Sequence, residues 1–237
     1  MYTELKLDRI VATIAQLQRR IGERFPESGL SNVAAELHRL GSDQEHLLLR
    51  MRRPIWILRI GAALGIAGLL LIVALLGTVA FRVSTHVQSI TDLLQASESA
   101  INDVVVLSLA IFFFLSLETR VKRTRALRAL HKLRSIVHIV DMHQLTKDPE
   151  HVVAPQRATA SSPKRTFTRF ELSRYLDYCS ELLSLASKLA AVYVQYLNDT
   201  VVLDAVNDIE TLASTLSNKI WQKIMILDAA FVAQEER

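Results

Sequence analysis

Cysteine and glycine are both scarce in this sequence. The 237 residues include one cysteine, Cys179, and a single thiol cannot close a disulfide within the chain. All seven glycines lie between Gly22 and Gly77, and none occurs in the 160 residues that follow. Tight turns, β-hairpins and phosphate-binding loops usually need glycine, because it adopts positive φ without strain. The sequence therefore predicts an all-α fold, with long helices joined by few turns.

Catalytic motifs are also missing. The patterns GxxxxGK[ST], GxGxxG, HExxH, CxxC and GxSxG do not occur anywhere in the chain. The lack of glycine after Gly77 further disfavours nucleotide-binding folds. We expect a protein without catalytic activity and without a cofactor, although the histidine cluster described below leaves a metal-dependent enzyme open.

Charge is absent from one long segment. Residues 60–81, IGAALGIAGLLLIVALLGTVAF, form a run of 22 uncharged residues. As a helix this run spans ~33 Å, which is enough for a bilayer core of about 30 Å. A buried helix of this length in a soluble protein would normally have a polar stripe. The run therefore predicts a transmembrane helix over about 60–81.

A second apolar segment is shorter. Val104 to Leu117, VVVLSLAIFFFLSL, has 14 residues and reaches only ~21 Å as a helix. Extended back to Ser99, the segment becomes long enough to cross a bilayer. We predict a second transmembrane helix over about 99–117, with an external loop over 83–98.

The distribution of lysine and arginine predicts the orientation of this pair. Arginines precede the first helix, from Arg50 to Arg59, and neither lysine nor arginine occurs from Val83 to Asp103. Seven basic residues, here called the basic cluster, follow the second helix: Arg120, Lys122, Arg123, Arg125, Arg128, Lys132 and Arg134. Positive residues remain on the cytoplasmic side of short flanks. We therefore predict a transmembrane hairpin with both termini in the cytoplasm.

The position of the basic cluster beside a membrane helix predicts its role. Directly beside a membrane helix, basic residues are expected to set orientation and to attract anionic lipid headgroups, rather than to bind nucleic acid. No eukaryotic targeting signal is visible, so we expect a multi-pass protein of a bacterial inner membrane.

Glycines share one face of the first membrane helix. Gly61, Gly65 and Gly68 are spaced by four and three residues. Small residues at this spacing let another helix approach closely, although glycine is also simply common in membrane helices. We predict that this face packs against a helix, either the second membrane helix or one from a neighbouring subunit. A homo-oligomer is expected.

The region before the membrane, residues 1–53, has amphipathic character. Five apolar residues form a heptad seam: Leu7, Ile10, Ile14, Leu17 and Ile21. Two heptads are marginal alone, so this helix must pack on another part of the chain. Residues 24–29 predict a break, and a second helix is expected from about Leu30. We expect Gly41 and the two residues after it to interrupt that helix.

Three segments follow the membrane hairpin, which occupies residues 54–119. Residues 120–146 predict a basic juxtamembrane helix, and residues 147–166, with three prolines, predict a linker. Thr168 and Glu171 have the spacing of a capping box. Residues 167–237 therefore predict a long antiparallel helical hairpin, with its turn at Asn198 and Asp199.

One polar cluster has the chemistry of a metal site. His131, His138 and Asp141 are spaced so that one face of a helix can carry the imidazoles and the carboxylate. These groups are ordinary ligands of divalent metals. The alternative is that they are polar surface residues, since one helix supplies too few ligands without help from elsewhere.

Three functional hypotheses remain open from the sequence. The first is a self-associating membrane scaffold that holds a cytoplasmic protein partner at the bilayer. The second is an oligomeric channel or pore-forming effector, whose polar lining would be limited to Asp103, Ser108 and Ser116. The third is a metal-dependent membrane enzyme that uses His131, His138 and Asp141.

Overall fold

The structure is a computed structural model that describes residues 4–52, 54–83, 90–149 and 167–235. In these ranges it contains six helices and no strand, which confirms the all-α fold class. The helices are α1 (Leu7–Arg24), α2 (Gly29–Arg52), α3 (Trp56–Val83), α4 (Ile90–Leu145), α5 (Arg169–Tyr196) and α6 (Thr200–Glu235). Residues 150–166 of the predicted linker and 84–89 of the predicted external loop lie outside the described residues.

The chain divides into two compact units. The first unit, here called the bundle, combines residues 1–52 with residues 125–237, and the second covers residues 53–124. The bundle therefore takes its helices from both sides of the apolar region. The predicted helices at 99–117 and 120–146 fall within one helix, α4, because no glycine or proline interrupts the sequence between residues 90 and 145.

The apolar seam of α1 faces the core of the bundle. Its five seam residues are all buried: Leu7, Ile10, Ile14, Leu17 and Ile21. Helix α1 packs on α2 and α5, and α5 packs on α6. The seam thus meets the partner helices that so short a segment needs in order to be stable.

Helix α2 differs from the sequence prediction. It continues without interruption from Gly29 to Arg52, so the expected break at Gly41 is wrong. A Cβ placed on Gly41 would lie 3.2 Å from Val11 of α1 and 3.6 Å from Leu189 of α5. Glycine is present there because three helices cross closely, and the packing outweighs its weak helix propensity.

Helices α5 and α6 run antiparallel. The capping box at the start of α5 is confirmed, with Thr168 and Glu171 each bonding the backbone of the other. Arg169 then donates to the Leu227 carbonyl oxygen at 3.1 Å, near the end of α6. The chain turns between Tyr196 and Thr200. The turn predicted at Asn198 and Asp199 is therefore confirmed.

Two helices in the described ranges are long and apolar enough to cross a membrane. The candidate segments are Trp56–Leu75 and Ile101–Leu145. The most apolar part of each segment is almost entirely unburied within the protein, and large side chains such as Leu71 and Phe112 are exposed. Exposed apolar helices of this length favour a membrane protein.

Candidate functional site

A carboxylate connects α3 to α4 in the second unit. Glu118 accepts a hydrogen bond from the Arg59 Nε at 2.7 Å and another from the Ile55 backbone N at 3.2 Å. It also pairs with the Lys122 Nζ at 2.7 Å. The side chains of Glu118 and Lys122 are only 15% and 14% exposed. We call these four residues the Glu118 clamp, and it holds the beginning of α3 beside the end of the apolar part of α4.

The three predicted packing glycines have different surroundings. A Cβ placed on Gly65 would lie 2.9 Å from the Cζ of Phe114, so the ring of Phe114 occupies the space that this glycine leaves. In the part of the chain that the structure describes, nothing lies within 4 Å of a Cβ placed on Gly61 or Gly68. One glycine therefore admits the second apolar helix of the same chain, and two remain open.

Two members of the basic cluster form ion pairs with described acidic residues. Lys122 belongs to the Glu118 clamp, and Arg134 lies 3.7 Å from Asp208 of α6. Arg125, Arg128 and Lys132 are exposed and, at spacings of three and four, share one face of α4. Within the described ranges no acidic side chain forms an ion pair with these three residues.

The predicted metal ligands remain on the surface of α4. His131 and His138 are exposed, and the Asp141 Oδ1 accepts a hydrogen bond from the Gln144 Nε2 at 2.7 Å. In the described residues, no group of three or more histidine, cysteine, aspartate or glutamate side chains is placed to hold a metal ion. The described residues therefore do not supply a further ligand beside His131, His138 and Asp141.

The end of α4 is fixed in the bundle by a lysine from α6. Lys223 Nζ donates to the carbonyl oxygen of Gln144 at 2.9 Å and lies 3.5 Å from that of Lys147. The last carbonyls of a helix lack partners within it, and a cation there also complements the helix dipole. Burial lowers the pKa of the Lys223 ammonium. The sequence gives no signal for this contact, since it joins residues 79 positions apart.

An aromatic group surrounds the residues that follow α4. Lys147 Nζ lies 4.3 Å from the ring centre of Phe167 and 5.4 Å from that of Tyr175, a cation–π geometry. Phe25, at the end of α1, packs against Phe167, Tyr175 and Tyr178. Burial lowers the pKa of Lys147. The aromatic group thus joins the ends of α1 and α4 to the start of α5.

Cys179 lies in the same region and is fully buried. Burial raises the pKa of its thiol to about 12, so the thiol is protonated at neutral pH. Cys179 is therefore a packing residue of the bundle core.

No protein-family model, curated protein or solved structure matches the chain.

Proposed function

We propose that this protein is a two-pass membrane scaffold without catalytic activity. Its transmembrane hairpin places both flanks in the cytoplasm, where they fold together into one helical bundle. Copies of the protein associate within the membrane, and the bundle holds a cytoplasmic partner at the bilayer surface.

The main support is the composition of the bundle. Its core contains residues from before and after the apolar region, and Arg20 pairs with Glu181 at 3.0 Å across that interval. A bilayer cannot pass between segments that share a core, so both flanks lie on the same side. This requires an even number of crossings between them, and the two candidate spans fit that requirement.

Charge supports the cytoplasmic assignment. The exposed residues Arg125, Arg128 and Lys132 follow the apolar part of α4 closely and form a stripe of positive charge. Positive flanks favour the cytoplasmic side, and each exposed cation near anionic lipid contributes about 1 kcal/mol of attraction. We therefore propose anionic lipid headgroups as partners of this stripe.

Cysteine labelling in whole cells tests the topology. A membrane-impermeant maleimide is expected to label Glu98→Cys, in the proposed external region, without treatment of the cells. Asn32→Cys and Asn218→Cys, both exposed on the bundle, should be labelled only after the membrane is permeabilised. The wild-type protein is the control and should remain unlabelled, because Cys179 is buried and its pKa is about 12. Labelling of Asn32→Cys in intact cells would contradict the proposed orientation.

Self-association is proposed to use the two open glycines. Gly61 and Gly68 lie on the face of α3 that also contains Gly65, but no described neighbour fills the space beside them. Close approach of helices at small residues is a general basis of association in membranes. We propose that a second copy of α3 packs on this face at Gly61 and Gly68, on either side of the Phe114 ring.

Substitution of single glycines separates contacts between chains from contacts within a chain. Gly61→Ile is expected to weaken self-association about tenfold, equivalent to about 1.4 kcal/mol, measured as oligomer mass in nanodiscs at several protein concentrations. Gly65→Ile should instead disturb the contact between α3 and α4, since Phe114 occupies that space. Gly77→Ile, also open in the structure, is the matched control. An unchanged mass for Gly61→Ile would contradict the proposed interface, and ion flux in liposomes would favour a channel instead.

A further inference from the structure

A second feature of the bundle is a cleft between α1 and α5. Its volume is about 290 Å³, and its lining is basic: Arg20, Glu23, Arg24, Arg174 and Tyr178. Three arginines and one acidic residue therefore line the cleft, and two of the arginines also pair with carboxylates, Glu181 and Asp177. Neither the heptad seam nor the membrane hairpin requires three arginines at this place, because the cleft lies on the polar side of α1.

Each of the three guanidinium groups is held in place by its own contact. Arg20 forms two hydrogen bonds to Glu181, at 3.0 and 3.3 Å, and lies 5.2 Å from the ring centre of Tyr178. These contacts orient the group without enclosing it, since the Arg20 side chain is 43% exposed.

The other two arginines are oriented from α5. Arg174 donates to Asp177 at 3.1 Å, and the guanidinium of Arg24 lies 5.3 Å from the ring centre of Phe170. The side chain of Arg174 is 42% exposed. A guanidinium has five N–H donors, so Arg20 and Arg174 each retain donors beyond those bonded to their carboxylates. Groups that are already oriented lose less entropy when a ligand binds.

We infer that this cleft binds the phosphate group of a phosphate monoester. Arginine forks match the oxygens of phosphate, and three of them can share a tetrahedral dianion, whereas a single carboxylate matches one fork. Glu181 and Asp177 share the donors of Arg20 and Arg174, so an entering phosphate would use the donors that these carboxylates leave free, together with Arg24. The cleft is slightly smaller than sites for drug-sized ligands, which suits a small headgroup. The monoester belongs either to a soluble metabolite or to a lipid such as phosphatidic acid.

Binding to the full chain in nanodiscs tests the inference. In phosphatidylcholine nanodiscs, inorganic phosphate and pyrophosphate are titrated by calorimetry against the wild type and two variants, Arg24→Gln and Arg174→Gln. Each variant is expected to bind at least about tenfold more weakly, the loss typical of one charge-assisted hydrogen bond. Arg39→Gln is the matched control, since Arg39 is an exposed arginine of α2 that pairs with Glu36 and Asp43 outside the cleft. It should bind like the wild type.

A gain of affinity provides a second readout that loss of folding cannot imitate. Glu23→Gln removes the only acidic side chain of the lining and should tighten phosphate binding by up to about fivefold. Nanodiscs that contain phosphatidic acid distinguish the source of the ligand. Competition by this lipid against pyrophosphate supports a lipid headgroup, and binding without competition supports a soluble ligand. Undetectable binding of both anions, or equal binding by the cleft variants and Arg39→Gln, would overturn the inference.

Discussion

Replacement of Glu118 by alanine is expected to separate α3 from α4 and to destabilise the second unit by about 2–3 kcal/mol. The substitution removes a carboxylate that pairs with Arg59 and Lys122 and accepts from the Ile55 backbone N. Lys122 is only 14% exposed and would lose its partner, and an unpaired ammonium with little access to water is costly. The measurement is thermal unfolding in detergent, combined with protease sensitivity between residues 53 and 124.

Two further variants show whether the charge of Glu118 is responsible. Glu118→Gln keeps the size of the side chain and a hydrogen-bond acceptor, and is expected to lose less stability than Glu118→Ala. Asp103→Ala is the matched control, because Asp103 is an exposed acid on the same helix. Equal stability of Glu118→Ala and Asp103→Ala would show that the Glu118 clamp does not hold the two helices together.

Gly29→Ala is expected to destabilise the bundle by about 1–3 kcal/mol, the range typical of overpacking. A Cβ at this position would lie 2.9 Å from the His143 Nε2 and 3.0 Å from its Nδ1, which is closer than non-bonded atoms approach. The imidazole must move, and it lies next to Gln144, whose carbonyl oxygen accepts from Lys223. The substitution should therefore loosen the end of α4, measured as earlier thermal unfolding and faster amide exchange over residues 140–147.

The matched control for Gly29→Ala is the same change at Gly22. A Cβ there would lie 3.7 Å from the Ser31 Oγ, an ordinary contact, and alanine favours a helix interior over glycine by roughly 0.5–1 kcal/mol. Gly22→Ala should therefore be neutral or stabilising. His143→Ala in the Gly29→Ala background should restore part of the lost stability. If the double variant is no more stable than Gly29→Ala, the imidazole is not the obstacle.

Local chemistry made some parts of the fold predictable from the sequence. The capping box at Thr168 and Glu171 depends on residues three positions apart, and the structure contains it. The apolar seam of α1 repeats with the helical period, so the sequence also predicted that this face packs against a core. Both predictions needed only the residues of a single helix.

The features that were missed or wrongly predicted from the sequence depend on contacts between residues far apart in the chain. Gly41 was interpreted as a helix break, but it marks a crossing with Val11 and Leu189, and neither residue is near it in the sequence. The role of Lys223 at the end of α4 was equally hidden, because nothing in the sequence near Lys223 points to Gln144. Glu118 is an acidic residue at the end of an apolar segment with basic residues after it, which is only a weak indication of an ion pair. Its partner Arg59 is 59 positions away.

The divided composition of the bundle has a consequence for synthesis of the protein. Helices α1 and α2 leave the ribosome first, yet the contact between Arg20 and Glu181 must wait until α5 has been made. At about 5–20 residues per second, the ribosome needs roughly 7–30 seconds to extend the chain from the end of α2 to the end of α5. During this interval the apolar seam of α1 lacks α5 as a partner. The core of the bundle is therefore completed only after both apolar segments of the chain have been made.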